Sequence, residues 1–253
     1  LPRMLFVPLI LVVSCLCAGC YAGIAGFLSN RFGANMVIVT LMQNYVAQLF
    51  CSYLVNNVFV DDQGIARTAA LPQQARIGKL MEGHYLSASI LIGVALVAVV
   101  WFLLNRTRLG HRLHFVGSNP ASAETAGINT KRMMLITLLI SGALAGFCGA
   151  TQVMGVQYRF TDGFSSGYGF EGIAVAALAG NNPLTVLLSA ILWGGLKSGA
   201  SEVNRIASIP MDVISIIQAL IVVFMVAPKL MDALCTPMRK LLAGSRRTAA
   251  RAE

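Results

Sequence analysis

Of 253 residues, 57% are hydrophobic and 11% charged, against about 25% charged in a soluble domain. Several apolar runs reach the ~20 residues that cross a bilayer as helix, and none alternates over about ten residues as barrel strands do. A soluble domain and a β-barrel are excluded, and the formal charge of +9 reads as membrane topology rather than nucleic-acid binding, because Lys and Arg collect on cytoplasmic loops.

The predicted fold is an all-α polytopic transmembrane bundle: about six spans plus a short half-helix or re-entrant segment, in one domain over 1–253. The chain begins Leu1-Pro2-Arg3 without an initiator Met. Its first span, Met4–Phe27, is too long for a usual signal-peptide core and lacks an A-x-A site, so the chain is expected to be incomplete at its N-terminus. Ser29–Gly33 is a short connection to span two, Ala34–Val58. That span carries Gln43, Asn44, Gln48 and Asn56, which are costly in lipid and should face other helices or a cavity. Residues 59–84 form a polar loop too long for a tight hairpin. Span three is Tyr85–Leu104 and span four Met133–Tyr158, where Gly142-x-x-x-Gly146 permits a close helix contact. After a Gly/Ser-rich loop, Phe170–Gly180 spans only ~16 Å as helix at ~1.5 Å per residue and cannot cross a ~30 Å core. Asn181-Asn182-Pro183 starts span five, to Val203. Span six is Met211–Pro228, and 229–253 is a basic tail.

The loop from Asn105 to Arg132 carries the most information. Asn119 can cap a helix with Pro120 at its first position, and Ala121 to Ala126 favour helix with a slim surface. Gly127 can end the helix in the left-handed conformation. Arg106, Arg108 and Arg112 precede this stretch; Lys131 and Arg132 follow it.

Gly117-x-Asn119-Pro120-x-x-Ala123-x-x-Ala126-Gly127-Ile128 resembles the cytoplasmic coupling loop of ABC importer permeases of the ribose and branched-chain amino acid class. Ser122 stands where a second Ala is common in that pattern, and Glu124 where a basic residue is common. The window 33–47, around Thr40-Leu41-Met42-Gln43-Asn44-Tyr45, is similar to the nucleoside-uptake branch, with Met36 in place of its acidic residue and Gln43 in place of its second Leu. So are Gly169-Phe170-Glu171-Gly172-Ile173-Ala174, Gly180-Asn181-Asn182-Pro183, Gly194-Gly195-Leu196-Lys197-Ser198-Gly199 and Ile216-Ile217-Gln218-Ala219.

The resemblance implies a permease subunit of an ATP-driven importer in the cell membrane. It moves nucleosides, purine ones first, by alternating access; simple sugars such as ribose are the alternative substrate. Gly117, Asn119, Pro120, Ala123, Ala126 and Gly127 would couple to a separate ATP-binding subunit, which uses ATP and Mg; this chain binds no cofactor or metal and is no enzyme. Further partners would be a second permease subunit, in a heterodimer or homodimer, a lipoprotein or periplasmic substrate-binding protein, and membrane lipid. Further spans would lie upstream.

Candidates for the substrate path are Gln43, Asn44, Glu171 and Lys197. Gln43 and Asn44 either bond neighbouring helices or meet substrate. Glu171 suits a helix N-terminus by its charge. Lys197 either snorkels to the interface or lines the cavity. With 105–132 in the cytoplasm and the short element counted as one crossing, Lys and Arg number twelve inside and six outside, a bias that supports this orientation and a cytoplasmic tail.

Other chemistry is weaker. Cys15-x-Cys17-x-x-Cys20 has metal-like spacing but no His or acidic partner on its helix. Gly163-Phe164-Ser165-Ser166-Gly167 fits G-x-S-x-G without the strand that a nucleophile elbow follows; His111 and His114 fall on the other side of the membrane, His84 on the same one. An ion-coupled transporter or channel would want an acid or His at mid-span, which no span supplies.

Overall fold

The structure is a computed structural model; it describes residues 3–59, 66–78, 87–165 and 167–207, with 213, 215–217, 219, 220 and 223. It divides into two compact units, Leu1–Ser166 and Gly167–Glu253. Among the described residues there is no sheet; Arg67 and Thr161 form an isolated antiparallel bridge. Five helices there are long and apolar enough to cross a membrane. The chain is an all-α polytopic membrane protein.

In the first unit, α1 runs over Arg3–Phe32 and α2 over Met36–Tyr53. The expected connection at Ser29–Gly33 is shorter than predicted: α1 continues through Phe32, and Gly33 alone turns, at φ +66°. Asn35 caps α2 by accepting from the Val37 amide at 3.0 Å. A π-turn at Leu54–Val58 extends α2 to the predicted end. Helix α3 covers Ser89–Arg106, and α6 covers Thr130–Gln152, prolonged by a π-turn to Gln157. Both lie within a turn of their predicted bounds.

The predicted glycine contact joins α1 to α6. A methyl group on Gly142 would lie 2.7 Å from the Ala18 carbonyl oxygen, and one on Gly146 would lie 2.5 Å from the Ala18 Cβ. Ser14, Ala18 and Ala22 on α1 present a matching row of small residues, so two backbones meet where lipid alone would give no reason for them to associate. At one end, Leu11, Ile77 and Met154 form a small buried cluster. There the described part of the 59–84 loop returns to the bundle. Its Thr68 amide donates to the Phe160 carbonyl at 2.8 Å, and Ile77 to Met154 at 2.9 Å. Elsewhere the helices are bare: Leu49 is 72% exposed, and no residue of α2 or α3 is buried. Such surfaces suit lipid or further helices rather than water.

The loop 105–132 holds two helices, not the single one expected. Between α3 and the short helix lies α4, Arg108–Ser118. Thr107, in extended backbone, ends α3 and caps α4, accepting from the Gly110 amide at 3.1 Å. Gly110 is buried against the last turn of α3, where any side chain would collide with the Leu103 and Leu104 carbonyl oxygens.

The second unit, among its described residues, is a helical hairpin. Helix α7, Tyr168–Leu178, has eleven residues, and α8 covers Pro183–Ala207. The short apolar helix is therefore real and too short to span. Gly180 and Asn181 turn at φ +61° and +59°, the Asn182 side chain accepts from the Leu184 amide, and Pro183 opens α8. Most of predicted span six and the whole of tail 229–253 lie outside the described residues.

Candidate functional site

The short helix of the loop is α5, Pro120–Thr125. Asn119 sits in extended backbone and its side chain accepts from the Ser122 amide at 3.2 Å, with Pro120 at the first position. At the other end, Gly127 has φ +77°; its amide reaches Glu124, and the Ile128 amide reaches the Ala123 carbonyl at 2.9 Å. Capped at both ends, six residues hold a helix that would not form alone.

Ala123 is fully buried, whereas Gly117, Asn119, Pro120, Ala126 and Gly127 are exposed. The exposed set forms a slim, nearly apolar tip, while Ala123 anchors it from within. The Glu124 carboxylate accepts from the Thr130 hydroxyl at 2.6 Å, and the Asn129 side chain caps α6 through the Arg132 amide. Asn30 on α1 reaches the Lys131 carbonyl at 2.9 Å. The tip is thus fastened to the first turn of α6, and through it to the α1–α6 pair.

The four path candidates separate. Gln43 is a brace: its side chain donates to the Tyr21 carbonyl, and the Tyr21 hydroxyl donates to the Gln43 carbonyl at 2.8 Å. This reciprocal pair ties α1 to α2. Asn44, the next residue, is exposed and its side chain makes no hydrogen bond among the described residues.

Glu171 and Lys197 come together. The Lys197 ammonium donates to both carboxylate oxygens, at 2.6 and 2.8 Å, and stands 4.6 Å from the centre of the Tyr168 ring. Tyr168 opens α7 one turn before Glu171; Lys197 lies near the middle of α8. Lys197 therefore does not snorkel outward alone. It is held by a carboxylate and an aromatic face, both half-accessible, with the Lys and Glu side chains 42% and 32% exposed. One turn before Lys197, Trp193 is 7% exposed and its indole N–H has no partner among the described residues.

Sequence reasoning missed Tyr168, Trp193 and α4. Their signals were available: Tyr168 stands three residues before Glu171 and Trp193 four before Lys197, the spacings that share a helix face. Thr107 at a cap position before Leu109, Leu113 and Val116 announces α4.

The other motifs bring no chemistry. Gly163 and Gly167 adopt positive φ in an irregular turn after a helix, so Ser165 follows no strand. His84 lies outside the described residues. Among the described residues no three His, Cys, Asp or Glu side chains group to hold a metal.

The family described as the branched-chain amino acid transport system / permease component matches residues 2–226, most of the chain. This chain is a member of that family. It is similar to the guanosine ABC transporter permease protein NupP of Bacillus subtilis, at 34% identity over 88% of this chain and 65% of the relative. The nucleoside ABC transporter permease protein NupB of Lactococcus lactis is 28% identical over the full chain and 72% of its own length. The glucose ABC transporter permease protein TsgB13 of Haloferax volcanii is 31% identical over 89% of the chain and 62% of the relative. The permease described here thus spans about two thirds of the length of the relatives it matches. No solved structure matches it.

Proposed function

We propose that the chain is part of the membrane-spanning subunit of an ATP-driven importer of nucleosides, purine nucleosides first, working by alternating access. The observation that carries this is the family match over residues 2–226, with nucleosides named for two of the three relatives above. A separate ATP-binding subunit would use ATP and Mg, and a substrate-binding protein would deliver the nucleoside. A second permease subunit would complete the pathway, the bare faces of α2 and α3 leaving room for one. Residues 105–132 and the tail 229–253 would face the cytoplasm, and 1–253 would act as one permease domain. Gly117, Asn119, Pro120, Ala126 and Gly127 would meet the ATP-binding subunit, positioned by buried Ala123.

The path would involve Asn44, steadied by the Gln43–Tyr21 brace, and the Glu171–Lys197–Tyr168 group. A ring face, a carboxylate and an ammonium are groups that suit a base and a sugar diol. Sugars are the second reading, favoured by the glucose-permease relative. Uptake of labelled guanosine and of labelled ribose or glucose, in cells carrying the complete transporter or lacking this subunit, tests the proposal. Guanosine uptake should require the subunit and resist excess sugar. Sugar uptake that requires it, with guanosine uptake unchanged, would overturn the nucleoside reading.

A further inference from the structure

A cleft of about 300 Å³ lies between the end of α3 and the outer face of α4, lined by Leu104, Asn105, His111, His114, Phe115 and Ser118. Its depth relative to the bilayer follows from the chain: α3 is an apolar span that ends at Arg106, so the cleft opens at the level of the lipid headgroups. Its shape follows from Thr107 and Gly110, which bend the chain at once and press α4 onto the last carbonyls of α3.

We propose that this cleft binds the phosphate of an anionic phospholipid. The Ser118 hydroxyl is turned inward to the His114 carbonyl at 2.9 Å, and the Asn105 amide donates to the Trp101 carbonyl. The two imidazoles are different: both are exposed, and neither ring has a hydrogen-bond partner within the described chain. They stand three residues apart on one face, two free donors into one opening.

Charge selects an anion. Arg106, Arg108, Arg112, Lys131 and Arg132 form no ion pair within the described chain. The sole acid in this loop, Glu124, is engaged by Thr130. Apolar surface selects a lipid over a free anion. Leu104 and Phe115 form part of the wall, and Phe115 is 54% exposed. A soluble phosphate gains nothing from them, whereas a phosphodiester with acyl chains leaves its chains against the span below. The inference rests on α3 being a span and not on the substrate or the transport direction.

The test uses the purified full transporter in nanodiscs with phosphatidylcholine and a minor fraction of photoactivatable phosphatidylglycerol. Crosslinking should map to the cleft. It should fall about fivefold for each cation removed in Arg108→Gln and Arg112→Gln. The His111→Ala/His114→Ala pair should also lower it, while a photoactivatable phosphatidylcholine probe stays unchanged. Excess glycerol phosphate should not compete. Competition by glycerol phosphate would mean a free-phosphate site and overturn the lipid assignment. Unchanged phosphatidylglycerol crosslinking in both sets of variants would overturn the site itself. So would variants that keep the lipid but lose the ATP-binding subunit on purification, which would make this a protein interface. Nucleoside uptake decides none of these outcomes, so failure here is separable from failure of the transport reading.

Discussion

Gly127 has nothing within 4 Å of where a side chain would begin, so space does not make it glycine; its φ of +77° does. A β-branched residue there is strained by about 1–2 kcal/mol, and relief of that strain moves the exit from α5. Gly127→Val should therefore leave the protein in the membrane but abolish substrate-stimulated ATP hydrolysis by the assembled transporter, measured in proteoliposomes with binding protein and nucleoside present. Normal stimulation would mean that the α5 tip does not couple. Ala123 is a poorer probe of docking than its exposed neighbours. Because it is fully buried, a charged replacement acts first on the loop's own fold.

The α7–α8 hairpin raises a different question, because its pair of charges sits between an eleven-residue helix and a span. A lone Lys deep in a span costs about 2.5–3.5 kcal/mol on insertion scales, and a carboxylate beside it offsets much of this. Removing one partner leaves the other charge exposed to lipid; removing both does not. Lys197→Met/Glu171→Gln should thus accumulate in the membrane near wild-type level, with Glu171→Gln alone well below it, as read by immunoblot of membrane fractions. If the pair serves only to neutralise Lys197, the double variant also recovers nucleoside uptake. If it belongs to the path, uptake stays lost although the protein is present. Recovery of uptake would remove both residues from the proposed path.

For the whole molecule, the proposed sidedness rests on charge. In that orientation Ser118 would lie inside, because 105–132 carries five Lys and Arg against three in 59–84 and one in 159–169. A cysteine-free transporter carrying Ser118→Cys should resist an impermeant maleimide in intact cells and react once the membrane is opened. Ser118 is exposed in this chain, and reaction after the membrane is opened is the control that separates sidedness from cover by lipid or a partner subunit. Reaction from outside would invert the topology and, with it, the coupling role of α5.

Much of this permease is determined by its sequence alone, for local reasons. Apolar length decides where a helix spans, and eleven residues cannot, whatever surrounds them. Asn119, Pro120 and Gly127 define α5 because a cap, a fixed φ and a positive φ are properties of single residues. Gly142 and Gly146 announced a close contact because backbones can approach only where side chains are absent. What the tertiary structure decided is partnership. No spacing in the chain says that Gly142 and Gly146 meet Ser14 and Ala18, more than a hundred residues earlier. Likewise, nothing local shows that Gln43 braces Tyr21 while the Asn44 side chain has no partner among the described residues, or that Ala123 turns inward. Lys197 and Glu171, 26 residues apart, were two separate charges in the sequence. The turn at Gly180–Asn181 makes them one group by folding a short helix back along a long one.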